Sequence, residues 1–134
     1  MVALSPSPAD LDVLAQERLD DAYALLHAGR YAGAHYVCGY AVEMKLKAQI
    51  CRTHGWVEYP PEVGARLAQA LKTHNLDQLL LFTAVGPTIS TVHRAPWSIV
   101  LEWNPEQRYE LTSLRAEERA RAMIDATKVL LAVL

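Results

Sequence analysis

Long apolar runs, surplus charge and strand-like alternation are all missing from this 134-residue chain. No stretch approaches the ~18 consecutive apolar residues of a membrane-spanning helix. Lysine and arginine number 13 against 15 aspartates and glutamates, a net charge of −2. There is thus no global positive field to steer nucleic acid, and any basic surface has to be a local cleft. Cysteine is scarce: Cys38 and Cys51, thirteen residues apart on one predicted helix. That spacing separates them by roughly 20 Å, whereas a disulfide needs Cα atoms within about 7 Å. Free thiols and a reducing cytoplasm are expected. The histidines (27, 35, 54, 74 and 93) show no H-x-x-x-H spacing, and no C-x-x-C occurs, so neither a metal nor a cofactor is expected. A Gly-rich phosphate loop, a G-x-S-x-G elbow and internal repeats are likewise absent. Met1 to Pro8 lacks the basic and apolar parts of a signal peptide and reads as a loose tail ahead of one domain, residues 9–134.

What is present is helical periodicity. Leu11, Ala15, Leu19, Ala22, Leu25 and Leu26 recur at 3–4 spacing after Pro8 and Ala9, and Gly29 closes that helix. The link Gly29 to Tyr31 is so short that the next helix, Tyr31 to His54, has to fold back antiparallel to the first. This central helix carries a narrow polar stripe, Tyr36, Tyr40, Glu43 and Lys47, spaced 4, 3 and 4 apart. At about 100° per residue the four lie within roughly 60° of one another. Ala34, Val37, Ala41, Met44 and Ala48 flank the stripe on one side, and Gly39, Val42, Leu46 and Ile50 on the other. Such a helix is packed on both sides, with its polar seam turned to a cleft, an interface or its own partners. Ala65 to Lys72 reads as a short helix, and Leu76 begins another behind His74 or Asn75 as its cap. Gly86 to Pro96 reads as irregular between two turns, with a short helix opening at Pro96-Trp97. The last helix begins after Thr112 or Ser113. The expected fold is all-α, an up-and-down bundle of 4–5 helices. Its core is expected from Leu19, Ala22, Leu26, Val37, Ala41, Met44, Ala48, Leu79, Met123, Ile124, Leu130 and Leu131.

Several of these residues carry chemistry. Glu43 and Lys47 stand at i,i+4 in the favourable order and form either a structural ion pair or part of a site. The two tyrosines add hydroxyls to the same seam. His74 either caps a helix or sits where an anion is attracted. Trp103, Arg108 and Tyr109 place a planar guanidinium among aromatics, which suits a phosphate, a stacked base or an internal carboxylate such as Glu43.

These same residues resemble the HEPN family of small helical domains. The likeness rests on Gly29-Arg30-Tyr31, on Glu43-Met44-Lys45-Leu46-Lys47-Ala48 as an E-x-x-L-K-A signature, on His74-Asn75-Leu76 as H-x-L, and on Trp103 with Arg108-Tyr109. It spans nearly the whole chain from Leu11. The resemblance implies a bundle that dimerises through its long helices. It also implies a toxin–antitoxin or defence setting, often beside a minimal nucleotidyltransferase or an antitoxin. Many HEPN proteins are metal-independent ribonucleases with an R-x(4–6)-H motif. The match here is Arg30 to His35, which lies in the wrong helix, arises readily by chance, and points its two side chains about 140° apart.

Two readings follow. In the first, the chain is a non-catalytic module that binds a nucleotide, RNA or a partner protein through Tyr36, Tyr40, Glu43, Lys47, His74, Trp103, Arg108 and Tyr109. In the second it is a ribonuclease in which His74 with Arg108, or His35 with Arg30, supplies a general base and a phosphorane-stabilising cation. An assembly subunit without a small ligand is a third. A homodimer is expected in each, because the run Val129 to Leu134 and the second flank of the central helix both need burial. The geometric expectation is convergence of Tyr40, Glu43, Lys47, His74 and Arg108, with an Arg108–Glu43 ion pair.

Overall fold

The computed structural model describes residues 5–109 and 116–134, without the side chains of 108 and 109. The described chain is all-α. Three long helices, α1 (Pro8–His27), α2 (Tyr31–His54) and α7 (Ala116–Val133), are joined by four short ones. These are α3 (Ala65–Leu71), α4 (Leu76–Leu81), α5 (Gly86–Val92) and α6 (Arg94–Val100). A 3-10 turn, Pro105–Tyr109, follows α6. The described residues therefore hold seven α-helices where the periodicity suggests four or five.

Local chemistry sets the ends of the α1–α2 hairpin. The Ser7 hydroxyl accepts from Asp10 N–H (3.1 Å) while the Asp10 carboxylate accepts from Ser7 N–H (3.0 Å), a reciprocal cap around Pro8. The Pro6 carbonyl also takes the Tyr59 N–H at 2.9 Å, so the ordered chain reaches into the stretch read as a tail. At the other end Gly29 adopts φ +74°, which an L side chain resists. There Arg30 N–H reaches Leu25 O and Gly29 N–H reaches Leu26 O, closing the helix and reversing the chain at once.

Contact between α1 and α2 is the most extensive in the molecule. α7 lies on both, α6 packs on α7, and α4 and the 3-10 turn pack on α2. Both flanks of α2 are covered: Ala34, Ala41 and Ala48 on one, Val42, Leu46 and Ile50 on the other, all fully buried. This corrects one ground for a homodimer, since the second flank finds its cover within the chain. The expected core is buried at Leu19, Ala22, Leu26, Ala41, Ala48, Leu79, Met123, Ile124 and Leu130, whereas Val37, Met44 and Leu131 are only partly so.

The largest local departure is Gly86 to Val92, which is not irregular but a helix, α5, while the short helix expected at Pro96-Trp97 is present as α6 and begins two residues earlier. Pro87 and Pro96 look like breakers, yet each falls in a first turn, where the backbone N–H has no helical acceptor to lose. The Thr112 or Ser113 cap of α7 lies outside the described residues. Among those described, no helix is long and apolar enough to cross a membrane. Cys38 and Cys51 are both free and buried.

Candidate functional site

The polar stripe of α2 becomes a network because α4 and the segment after α6 are laid over it. Asn75, not His74, caps α4: its side chain accepts from Gln78 N–H at 3.1 Å. That leaves the His74 ring free to turn back onto α2, where Nδ1 meets Glu43 Oε1 at 2.7 Å. Lys47 Nζ, one turn along α2, donates to Glu43 Oε2 at 3.0 Å. Glu43 is 2% exposed, so each oxygen of a buried carboxylate has one dedicated partner. An unpaired carboxylate at this depth would be strongly disfavoured. A carboxylate only accepts hydrogen bonds, so His74 Nδ1 carries the hydrogen, and the side chain as a whole is 57% exposed. Lys47 is further held by the Tyr59 ring, its Nζ lying 5.4 Å from the centroid. Burial pushes the Tyr59 hydroxyl's pKa well up, and that hydroxyl donates to Leu71 O at 2.6 Å.

An aromatic wall continues the network. Tyr40 meets the His74 ring edge to face (centroids 6.1 Å), Trp103 likewise (5.0 Å), and Tyr36 at 5.4 Å with the two hydroxyls 3.1 Å apart. Trp103 is pinned: its indole N–H donates to Tyr36 O at 2.8 Å, and its ring occupies the space that a side chain at Gly39 would need. Gly39 is therefore required by close approach of the indole, not by backbone conformation.

Beyond His74 and Trp103 opens a polar cleft of about 430 Å³ bounded also by Asn75, Asp77, Glu102 and Asn104. Sequence reasoning named Asn75 only as a cap and did not single out Asp77, Glu102 or Asn104, since isolated polar residues carry no periodic signal. It also missed Gln107, whose carbonyl oxygen accepts from His35 Nδ1 at 3.0 Å while its amide donates to Glu102 O. The second of these bonds fixes which end of the amide faces His35.

Of the residues singled out in the sequence, Tyr36, Tyr40, Glu43, Lys47, His74 and Trp103 come together. Arg108 and Tyr109 belong to the 3-10 turn that packs on α2, but their side chains, and with them the Arg108–Glu43 pair, lie outside those described. Arg30 is exposed at the N-cap of α2, while His35 is buried and bonded to Gln107. No group of three or more His, Cys, Asp or Glu suited to a metal occurs among the described residues. Comparison with protein-family models, curated proteins and solved structures yields no match.

Proposed function

We propose that this chain is a HEPN-like helical module that works by binding and not by catalysis. Its ligand is a nucleotide or RNA, or a partner protein such as a minimal nucleotidyltransferase in a toxin–antitoxin or defence pair. The observation that carries the non-catalytic part is the saturation of Glu43. Both carboxylate oxygens are committed inside the chain, to His74 and Lys47, so the signature residues fasten α4 to α2. His35, the other candidate base, is committed to Gln107 in the same way. The resemblance of Glu43 to Ala48, His74-Asn75-Leu76 and Trp103 to the family pattern supports the family and its setting.

One observation favours the ribonuclease reading instead. A histidine whose Nδ1 is oriented by a buried carboxylate, and whose ring borders an open cleft, has the form of a general base. The two readings part in one experiment. Purified protein is incubated with total RNA and, separately, titrated with nucleotides and single-stranded oligoribonucleotides in a filter-binding assay. The binding reading expects intact RNA, and retention that falls on His74→Ala, at the exposed ring lining the cleft. RNA cleavage that disappears in His74→Ala would overturn it in favour of the ribonuclease. We further propose a homodimer, now on the ground that Val129 and Val133 remain 46% and 40% exposed on α7. Sedimentation as a monomer at micromolar concentration would exclude it.

A further inference from the structure

Asp77 borders the polar cleft and also a second hollow, larger and different in kind. This groove, about 820 Å³, runs between α4 and α5 with Trp97 of α6 buried beneath it. Leu80, Leu81 and Pro87 form its apolar walls. Leu81 is 84% exposed, the highest value among the large apolar side chains of the described residues.

The hydroxyls lining the groove are already spent. Thr83 donates to Leu80 O (2.8 Å), Ser90 to Gly86 O (2.8 Å) and Thr91 to Pro87 O (2.7 Å). Ser90 and Thr91 satisfy their donors on the preceding turn of α5, and Thr83, just past α4, on the last turn of that helix. The groove therefore presents methyl and methylene surface and few directed donors, which suits a nucleotide or sugar poorly and an apolar occupant well. Asp77 is the one charged residue lining it, and it makes no ion pair with a described residue. An unpaired carboxylate at the rim of an apolar trough complements an occupant that is apolar on one face and basic at one end. The walls are helices, and no strand edge exists among the described residues to accept an extended peptide. The seven residues of α5 are about 10 Å long, the distance covered by side chains at i, i+3 or i+4, and i+7 of a docked helix.

We propose that this groove docks the apolar face of an amphipathic helix from a partner protein, with a lysine or arginine of that helix paired to Asp77. The proposal rests on the reading above only in taking one ligand to be a protein. It concerns a neighbouring groove that shares only Asp77 with the cleft, and Leu81→Asp, outside the cleft, tells its failure from failure of binding beside His74.

The test uses the full chain and a displayed library of helical peptides of about four turns, randomised on one face. Enriched peptides are expected to carry large apolar residues at i, i+3 or i+4, and i+7, with a basic residue toward one end. Their binding should fall about tenfold or more in Leu81→Asp, a substitution at a solvent-facing position that leaves the melting temperature unchanged. Asp77→Lys should reverse the selected charge from basic to acidic. Three results overturn the proposal: no enrichment, enriched peptides indifferent to Leu81→Asp, or a charge preference that ignores Asp77→Lys. A wild-type dimer that Leu81→Asp dissociates would also overturn it, with a second copy as the occupant. So would saturable binding of the amphiphilic dye ANS at this groove without any peptide that competes for it.

Discussion

Gly39→Ala puts two opposed effects on one position, and their magnitudes decide the sign. In an exposed helix interior, alanine for glycine stabilises by about 1 kcal/mol. At Gly39 the new methyl would run into the Trp103 indole, which is 5% exposed and anchored by its N–H to Tyr36 O. The indole cannot shift while keeping that bond and its edge contact with Tyr40. Full withdrawal of a ring burying ~200 Å² forfeits up to about 5 kcal/mol at 25 cal/mol per Å². Displacement of half that area costs about 2.5 kcal/mol, and the broken hydrogen bond about 1 more. Setting the helical gain of about 1 against this leaves a net loss of about 2–3 kcal/mol. Urea denaturation followed by circular dichroism measures it, and the melting temperature should fall by about 3–5 °C per kcal/mol. Tryptophan emission should shift to the red as the indole meets water. In a Trp103→Ala background the same Gly39→Ala change should become neutral or stabilising, a coupling of about 3 kcal/mol. If Gly39→Ala alone stabilises the protein by about the helix-propensity amount, the close approach of Trp103 is wrong and the placement of the whole segment after α6 falls with it.

The remaining predictions concern charge and thiols. Glu43→Gln should destabilise by about 2 kcal/mol in urea titration, because Lys47 loses its charge partner, although its partial exposure lets it reach water. His74→Ala, which leaves the buried Glu43 Oε1 without its partner, should likewise cost about 1–3 kcal/mol; no measurable loss in either variant would contradict the buried-carboxylate account. Burial pushes the Asp12 carboxyl up, but hydrogen bonds and charge from Arg52 and Lys45 outweigh it and hold the pKa below 3.8. A folded pKa below the unfolded one gives stability that is complete well above pH 3.8 and is lost as pH falls through the lowered value. Asp12→Asn should therefore narrow the gap to wild type below pH 4, and a constant gap down to pH 2 would exclude the linkage. Burial raises the Cys38 thiol to about 11 and also raises that of Cys51. Neither should react with a disulfide reagent at pH 8 until the protein is unfolded, and rapid titration of a thiol in the native state would refute the burial.

The sequence by itself determined whatever is local or periodic. A glycine able to take a positive φ, followed two residues later by a long amphipathic run, is enough to make the α1–α2 hairpin, because so short a link has no other way to turn. The spacing of Cys38 and Cys51 on one helix excluded a disulfide before any coordinates, and the 4-3-4 spacing of Tyr36, Tyr40, Glu43 and Lys47 placed them on one seam. What that seam faces was not local, and only the tertiary structure decided it. His74 arrives from α4 because Asn75 takes over the cap and frees the imidazole. Trp103 arrives because Gly39 leaves room for an indole, a complementarity between positions 64 residues apart that no pattern in either segment reveals. The same holds for Gln107 on His35. Pro87 misled the sequence reading because a proline's effect depends on where in a helix it falls, whereas Pro96 stands in the first turn of α6 much as its sequence suggested. The second apolar flank of α2 announced a need for burial in its sequence, but burial is satisfied by any apolar surface, and whether this chain or another supplies the cover is a property of the packed fold alone.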